Sequence, residues 1–394
     1  MTATTDVAGK PRVSPWNDPG KRALLIQIIL LVVFAILAYE IVQNTLANLR
    51  SRNISSGFDF LSKSSGFDII QSLVPYSSNS SYGRALFVGF LNTLLISAVS
   101  IVAATIIGFV MGIMRLSKNW LVARVATLYI EIFRNIPLLL WIFIFYSAVL
   151  KPLPGPREAL TIFDSFFLSN RGLMMPRPLF GDGAWLGGVG FLLALVACWL
   201  VARGAKARQL QTGETFPVLW TSIALIIGLP LIGFALVGFP IHWEYPVLQG
   251  FNFGGGIAVI PEFMALFLAL SIYTGTYIAE SVRAGIMAVS HGQTEAALAL
   301  GLRPGRVLRL VVVPQAMRVI IPPLASTYLS LTKNSSLAVA IGYPDLVAAG
   351  GTVLNQTGQA IEVVGIWMVV YLSLSLLTSG FMNWFNARMR LVER

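Results

Sequence analysis

The side chains able to do chemistry lie at a few points inside or beside long apolar blocks. Glu131 and Arg134 sit three apart, as do Glu280 and Arg283, and Lys333 is followed by Asn334, Ser335 and Ser336. Glu262 stands alone near one end of its block. A charge at the centre of a membrane helix costs about 2.5–3.5 kcal/mol on insertion scales, so each of these needs an account. A spacing of three puts two side chains on one helical face, where Glu and Arg either form an intrahelical pair or line a polar path as a gate. Lys333 has no evident partner in its own helix, which leaves a pathway or interhelical gate role beside a structural one.

Nucleotide and metal chemistry have no such foothold. No GxxxxGK[ST] phosphate-binding loop, HExxH or paired-cysteine spacing occurs, and His242 and His291 are isolated. The single cysteine, Cys198, lies in an apolar block without an intrachain partner. A non-catalytic chain with no cofactor and no metal of its own is the expectation.

The elements that hold these residues follow from composition. Of 394 residues, 56% are hydrophobic and only 11% charged, against about a quarter charged in an ordinary soluble domain. Apolar blocks of membrane-spanning length recur along the chain, which predicts an all-α polytopic membrane protein. Eight spans are predicted, at about 23–44, 85–114, 124–150, 184–202, 217–239, 257–283, 317–341 and 361–384. Pro137 should kink or restart the third.

Between the spans lie a polar stretch at 45–83 (with Asn53, Ser55 and Ser56), a Pro-rich segment at 151–183, and a short basic loop at Arg203, Lys206 and Arg208. A Gly-rich turn at 342–351 and a tail with Arg388, Arg390 and Arg394 complete the chain. The patches at 58–61 and 67–74 read either as amphipathic segments at the outer interface or as a partly packed loop. The polar first 22 residues end in Lys21-Arg22, and the block that follows lacks a small-residue cleavage site, so a retained first span is expected.

With the N-terminus inside, about 18 Lys/Arg fall on the cytoplasmic side and about 8 outside, in keeping with the positive-inside bias. That orientation places both termini and the 284–315 segment in the cytoplasm. The net charge of +11 then belongs to membrane-flanking loops rather than to a nucleic-acid surface.

The 284–315 segment is the longest basic, partly helical break in the C-terminal half. Glu295 to Leu300 is built of helix formers, with small Ala296, Ala297 and Ala299 that let another surface approach closely. Gly301 is placed to end that helix in a left-handed conformation. Pro304 suits the first turn of a second short helix over 304–313, which Pro314 should end or kink. The pair, with Arg303, Arg306 and Arg309 around the corner, reads either as a docking element for another protein or as a linker lying on the headgroups.

Glu295-Ala296-Ala297, Gly301 and Val311-x-Val313-Pro314 resemble the EAA motif of the membrane subunits of bacterial ABC importers, with two valines where isoleucine and leucine are usual. Tyr277, Glu280, Arg283 and Gly285, then His291-Gly292-Gln293, resemble the polar amino-acid permease branch. So do Glu131 through Arg134 to Pro137, Pro314-Gln315 with Arg318 and Pro322-Pro323, and Lys333-Asn334-Ser335-Ser336-Leu337. These motifs cover a five-span type I permease core at 85–150 and 257–386. The added parts resemble the long permease subunit of general L-amino-acid importers. They divide the chain into a cytoplasmic segment 1–22, an extra span and periplasmic loop 23–84, an inserted loop with two extra spans 151–256, and a tail 387–394.

The resemblance implies a multi-pass permease of the bacterial inner membrane that moves L-amino acids from periplasm to cytoplasm by alternating access. Its implied partners are a homologous second permease subunit, a dimer of ATPase subunits that bind ATP and Mg, a periplasmic amino-acid-binding protein and the lipid bilayer. Glu295, Ala296, Ala297, Gly301, Arg303, Arg306 and Pro314 would couple to the ATPase. An amino acid carries both charges, which makes Glu262, Tyr273, Thr274, Lys333 and Asn334 candidates for its path by position, beside the two Glu–Arg pairs. An ion-coupled secondary transporter of small polar solutes is the alternative; no inverted repeat is visible in its favour.

Overall fold

The structure is a computed structural model that describes residues 19–51 and 57–389. The polar segment 1–18, the run with Asn53, Ser55 and Ser56, and Arg390 and Arg394 lie outside the described residues.

A long apolar helix, α1 (Pro19–Ser51), comes first, and its apolar stretch buries nothing against the rest of the chain. α2 (Tyr82–Arg115) starts at Ser81, whose hydroxyl accepts from the Arg84 amide. α3 (Trp120–Asn135) starts at Asn119, whose side-chain oxygen accepts from the Leu121 and Val122 amides, filling donors that the first turn leaves open. Pro137 then forces Ile136 into extended backbone, at φ −106° and ψ 132°. The chain restarts as α4 (Leu138–Phe143), continued by a π-helical turn Ile144–Leu150, at 103° to α3.

α5 (Trp185–Thr212) and α6 (Val218–Ala235) form a close hairpin. A Cβ at Gly190 would stand 2.5 Å from the Leu229 carbonyl oxygen. α7 (Pro261–Met287) and α8 (His291–Ala299) follow, then α9 (Pro304–Val307), a π-helical turn Leu308–Val312, α10 (Val313–Asn334) and a 3-10 turn Ser335–Ile341. α11 (Leu346–Thr357) and α12 (Ala360–Met389) close the bundle. Among the described residues seven helices are long and apolar enough to cross a membrane, and eight if the bent α3–α4 pair is one span. The fold is mostly helical, as expected.

The sequence did not disclose eight short strands, β1 (Leu160–Ile162), β2 (Phe166–Ser169), β3 (Gly172–Met175), β4 (Arg177–Phe180), β5 (Ile241–Glu244), β6 (Val247–Gln249), β7 (Asn252–Gly254) and β8 (Ile257–Val259). They pair antiparallel as a sheet of order β1-β2-β3-β8 and as the pairs β4-β5 and β6-β7. β4 meets β5 and β3 meets β8 across the α5–α6 hairpin. The segments on either side of the two extra helices are thereby tied into one unit at the start of α7.

The bundle is centred on α2 and α7. Gly108 and Gly112 of α2 let the backbones approach: a Cβ at Gly108 would lie 2.4 Å from Cβ of Ile278, and one at Gly112 2.7 Å from the Ala279 carbonyl oxygen. Small residues at a helix contact do this in membranes, where close packing replaces the hydrophobic drive. Ala104, Ile278, Val282, Ile320 and Leu331 fill the core on one side, and Ile96, Trp141, Leu266, Leu270 and Tyr343 on the other.

Four boundaries differ from expectation. The basic run at Arg203, Lys206 and Arg208 is the last part of α5, which ends at a left-handed Gly213. The sixth span starts at Pro261, because residues 257–259 are taken by β8. The Gly-rich 342–351 stretch is a turn only up to Asp345, which caps α11 by accepting from the Ala348 amide at 2.8 Å. Pro314 does not end the second short helix: the widened π turn leads into it, and Pro304–Ile341 is one continuous span. Of the two patches in the 57–81 stretch, 58–61 turns Phe60 inward, whereas 67–74 leaves Ile70 and Leu73 exposed. Phe60 is buried with Leu86 and Val363, and the Gly57 amide donates to Glu362 Oε1 at 2.7 Å.

Candidate functional site

Two faces of α7 and α10 bring polar side chains together. Tyr273, Thr274 and Tyr277 on α7 face Ser326, Thr327, Ser330 and Asn334 on α10 across a cavity of about 380 Å³. The positions step by four along each helix, so each contributes one polar stripe within an apolar span. The Tyr273 and Tyr277 hydroxyls lie 2.9 Å apart, and the Arg134 guanidinium lies 5.2 Å from the centre of the Tyr277 ring. Hydroxyls and one carboxamide offer donors and acceptors but no fixed charge, which suits a small solute carrying both signs.

Tyr273, Thr274 and Asn334 therefore share one cavity. Tyr277, Ser326, Thr327 and Ser330 join them, and the repeat of small polar residues at 326, 330 and 334 was the signal that could have found the wall. Lys333 turns away: it is exposed and does not line the cavity. Glu131 and Arg134 form no ion pair among the described residues; the Arg134 guanidinium lies over the Tyr277 ring instead. Glu280 and Arg283 do pair, at 3.1 Å, and Arg115 from the end of α2 joins Glu280 as well. Glu262 lies at the other end of α7, where it accepts from the Tyr146 hydroxyl at 2.9 Å.

The second locus is the elbow between α8 and α9. The Gly301 amide donates to the Leu298 carbonyl at 2.9 Å and the Leu302 amide to the Ala297 carbonyl at 3.3 Å, with Gly301 at φ +78°. These are the two bonds of a Schellman stop, which a residue in the left-handed region makes possible. Pro304 then occupies the first turn of α9. Ala297 and Val307 turn inward and are buried, while Glu295, Ala296, Gly301, Arg303, Arg306 and the 83%-exposed Leu300 face outward. None of the charged members of that face forms an ion pair among the described residues. Pro314 lies one π turn beyond, within the rod that carries Arg306 at one end and Asn334 near the other.

A family profile described as "Binding-protein-dependent transport system inner membrane component" matches residues 207–391. The chain is 56% identical over 381 residues to the General L-amino acid transport system permease protein AapQ of Rhizobium johnstonii, covering 97% of this chain and 95% of that one. It is 52% identical over 385 residues to the Putative amino-acid ABC transporter permease protein YhdX of Escherichia coli K12, covering 96% of each. Among solved structures it superposes on a chain described as "Crystal structure of an amino acid ABC transporter with histidines", with TM-score 0.47 and 20% identity over 78% of this chain and 95% of that one.

Proposed function

The chain belongs to the inner-membrane permease components of binding-protein-dependent ABC transport systems, and on that premise we propose that it is one permease subunit of an ATP-driven importer of L-amino acids. The observation that carries the substrate class is the 56% identity, along almost the whole of both chains, to a permease protein of a general L-amino acid transport system. The geometry supports a mechanism. The exposed α8–α9 elbow is docked in a groove of a cytoplasmic ATPase subunit, with Ala296 at the close approach and Arg303 and Arg306 at the rim. The ATPase dimer binds and hydrolyses ATP with its Mg.

Pro304–Ile341 runs as one span through the π turn at Leu308–Val312, so displacement of the elbow moves the Ser326–Asn334 wall against α7. A ligand shifts such an equilibrium only through contacts that differ between its states. Opening of the wall toward the strands admits substrate from a periplasmic binding protein, and closing it there releases substrate inward. A homologous second permease supplies the opposite wall, and the described termini lie on the elbow side, in the cytoplasm.

Co-purification of the chain with its ATPase, followed by reconstitution with a binding protein, tests this. ATP-dependent uptake of L-amino acids is expected. Uptake by the purified chain alone, driven by an ion gradient, would overturn the reading in favour of a secondary transporter.

A further inference from the structure

At the strand end of the bundle lies a second cavity, of about 460 Å³, that no part of the mechanism above uses. Its size is within the ordinary range for a small-molecule site, about 300–1,000 Å³. Glu262 and Tyr146 reach it from the helices, and Lys151 from the end of the π turn. Arg171 enters from the two-residue turn between β2 and β3. An adjoining cavity of about 500 Å³ shares Ile70, Ile260 and Glu262 with it and has Asp68 in its lining.

The charges in this cavity are placed but not spent. Tyr146 stands between two of opposite sign: its hydroxyl donates to Glu262 Oε1 at 2.9 Å, and the Lys151 ammonium lies 5.0 Å from its ring centre. Neither Lys151 nor Arg171 has a carboxylate within ion-pair distance among the described residues, and Glu262 has no cation. Each charge is held by its backbone setting. Glu262 is in the first turn of α7 and Lys151 follows the last turn of the π segment, the ends that favour an anion and a cation respectively. Arg171 is fixed by the hairpin, whose preceding Asn170 amide donates to the Pro154 carbonyl at 2.9 Å. A carboxylate acceptor and two cationic donors that line one cavity, with Tyr146 between Glu262 and Lys151, match a ligand that carries an ammonium and a carboxylate.

We infer that this cavity is a loading site for a zwitterionic α-amino acid, with Lys151 and Arg171 on its carboxylate and Glu262 on its ammonium. The inference rests on the importer reading and adds a station to it. Glu262 and Tyr273 are both on α7, about 16 Å apart along its axis at 1.5 Å per residue. A solute released at the sheet end would meet the charged site first and the neutral cavity second. The inserted strands then have a task, since the turn that carries Arg171 exists only because β2 and β3 pair.

The test uses the assembled complex with its ATPase, in proteoliposomes, with binding protein and ATP. The probe is a mixture of radiolabelled protein L-amino acids. Glu262→Gln, and Lys151→Gln combined with Arg171→Gln, are expected to lower uptake about tenfold while the complex assembles with its ATPase in the parent yield. Unaltered uptake in both overturns the site. Should a variant fail to assemble, a second measurement decides with all three charges intact. Ile70→Cys, in a Cys198→Ser background, puts a thiol where the two cavities join, on a residue that is 86% exposed. L-Glutamine at millimolar concentration should slow its maleimide labelling several-fold, and the corresponding amine without the carboxylate should not; equal labelling overturns the site. Protection by L-glutamine without ATP-driven uptake in the parent complex would instead sink the importer reading and leave the site standing.

Discussion

Glu280 on α7 and Arg115 at the end of α2 form an ion pair between the two helices at the centre of the bundle, and Glu280 also holds Arg283 at 3.1 Å. The three side chains are 19%, 24% and 32% exposed, which places the cluster between surface and interior. One carboxylate neutralising two guanidinium groups makes the removals unequal. Without Glu280 two like charges face each other; without Arg115 the Glu280–Arg283 pair survives. Glu280→Gln should therefore lower stability by about 1–3 kcal/mol, with the partial exposure discounted, and Arg115→Gln by less than about 1 kcal/mol. Thermal unfolding of the two single variants and the double variant in detergent measures the coupling; equal losses would show that Glu280 is not the hub.

The α2–α7 contact depends on the absence of side chains at Gly108 and Gly112. A Cβ at Gly108 would fall 2.4 Å from Cβ of Ile278 and 2.9 Å from the Gly275 carbonyl oxygen, and backbone cannot move aside as a flexible side chain can. Gly108→Leu should separate the helices and cost about 3 kcal/mol or more, an overpacking at the top of the usual range. Gly188→Leu, on α5 where nothing lies within 4 Å, should be near neutral. Folded yield by size-exclusion chromatography compares the two.

The spans were legible because the bilayer imposes length and apolarity together, and the elbow because Gly301 and Pro304 are residues with one conformational reason each. The strands were not legible. Each is only three or four residues long, too short for an alternating pattern to show, and β4 finds β5 only after two intervening spans. The partners of Arg134 were equally hidden: a spacing of three offers Glu131, and only tertiary packing presents the Tyr277 ring instead. Tyr273, Thr274 and Asn334 could be named from polarity within apolar spans. That Lys333 turns out of the cavity while its neighbour Asn334 lines it depends on helix rotation, which one chain's sequence leaves open.

Gly301 adopts φ +78° with open space around it, so a substitution there acts through the backbone alone. Gly301→Ala should cost about 1 kcal/mol at the elbow, and Gly301→Asn less, because asparagine enters the left-handed region more readily. On the coupling reading, both variants insert and assemble, and uptake per ATP hydrolysed falls in the order Gly, Asn, Ala. The ratio of transport to ATPase activity in proteoliposomes reports it. An unchanged ratio in the alanine variant would detach the elbow's shape from coupling.

Asp345 lies in the turn between the span ending at Ile341 and α11, fully buried, and burial pushes its carboxyl up to about 7 against the amides of Ala348 and Val347, which pull it down. The fold thus favours the protonated form. Between the ordinary carboxylate range and about pH 7 the native chain binds a proton that the unfolded chain has lost. Stability from this group is fully present at low pH and declines as pH rises through that window, by at most about 4 kcal/mol. Asp345→Asn retains an oxygen for the Ala348 amide and removes the titration. Thermal midpoints from pH 5 to pH 8 should fall more steeply for the parent chain than for Asp345→Asn, and the variant should be the more stable at pH 8. Parallel profiles would contradict the assignment.

The neutral cavity yields the sharpest separation of solute contact from architecture. Asn334 and Tyr277 line the same space, but Tyr277 also supports the Arg134 guanidinium through its ring face, at 5.2 Å, whereas among the described residues its hydroxyl meets only Tyr273, at 2.9 Å. Tyr277→Phe keeps the ring and removes that hydroxyl, so it should leave folding intact and raise the half-saturating substrate concentration a few-fold, the effect of losing about one hydrogen bond. Asn334→Leu replaces the carboxamide by an apolar group of similar volume. It should lower uptake about tenfold or more, equivalent to at least about 1.4 kcal/mol on the translocation barrier, while the complex still assembles and its ATPase still turns over. If neither change alters uptake, the solute makes its polar contacts on the partner permease's wall, and this chain's stripe of hydroxyls serves helix packing against that wall instead.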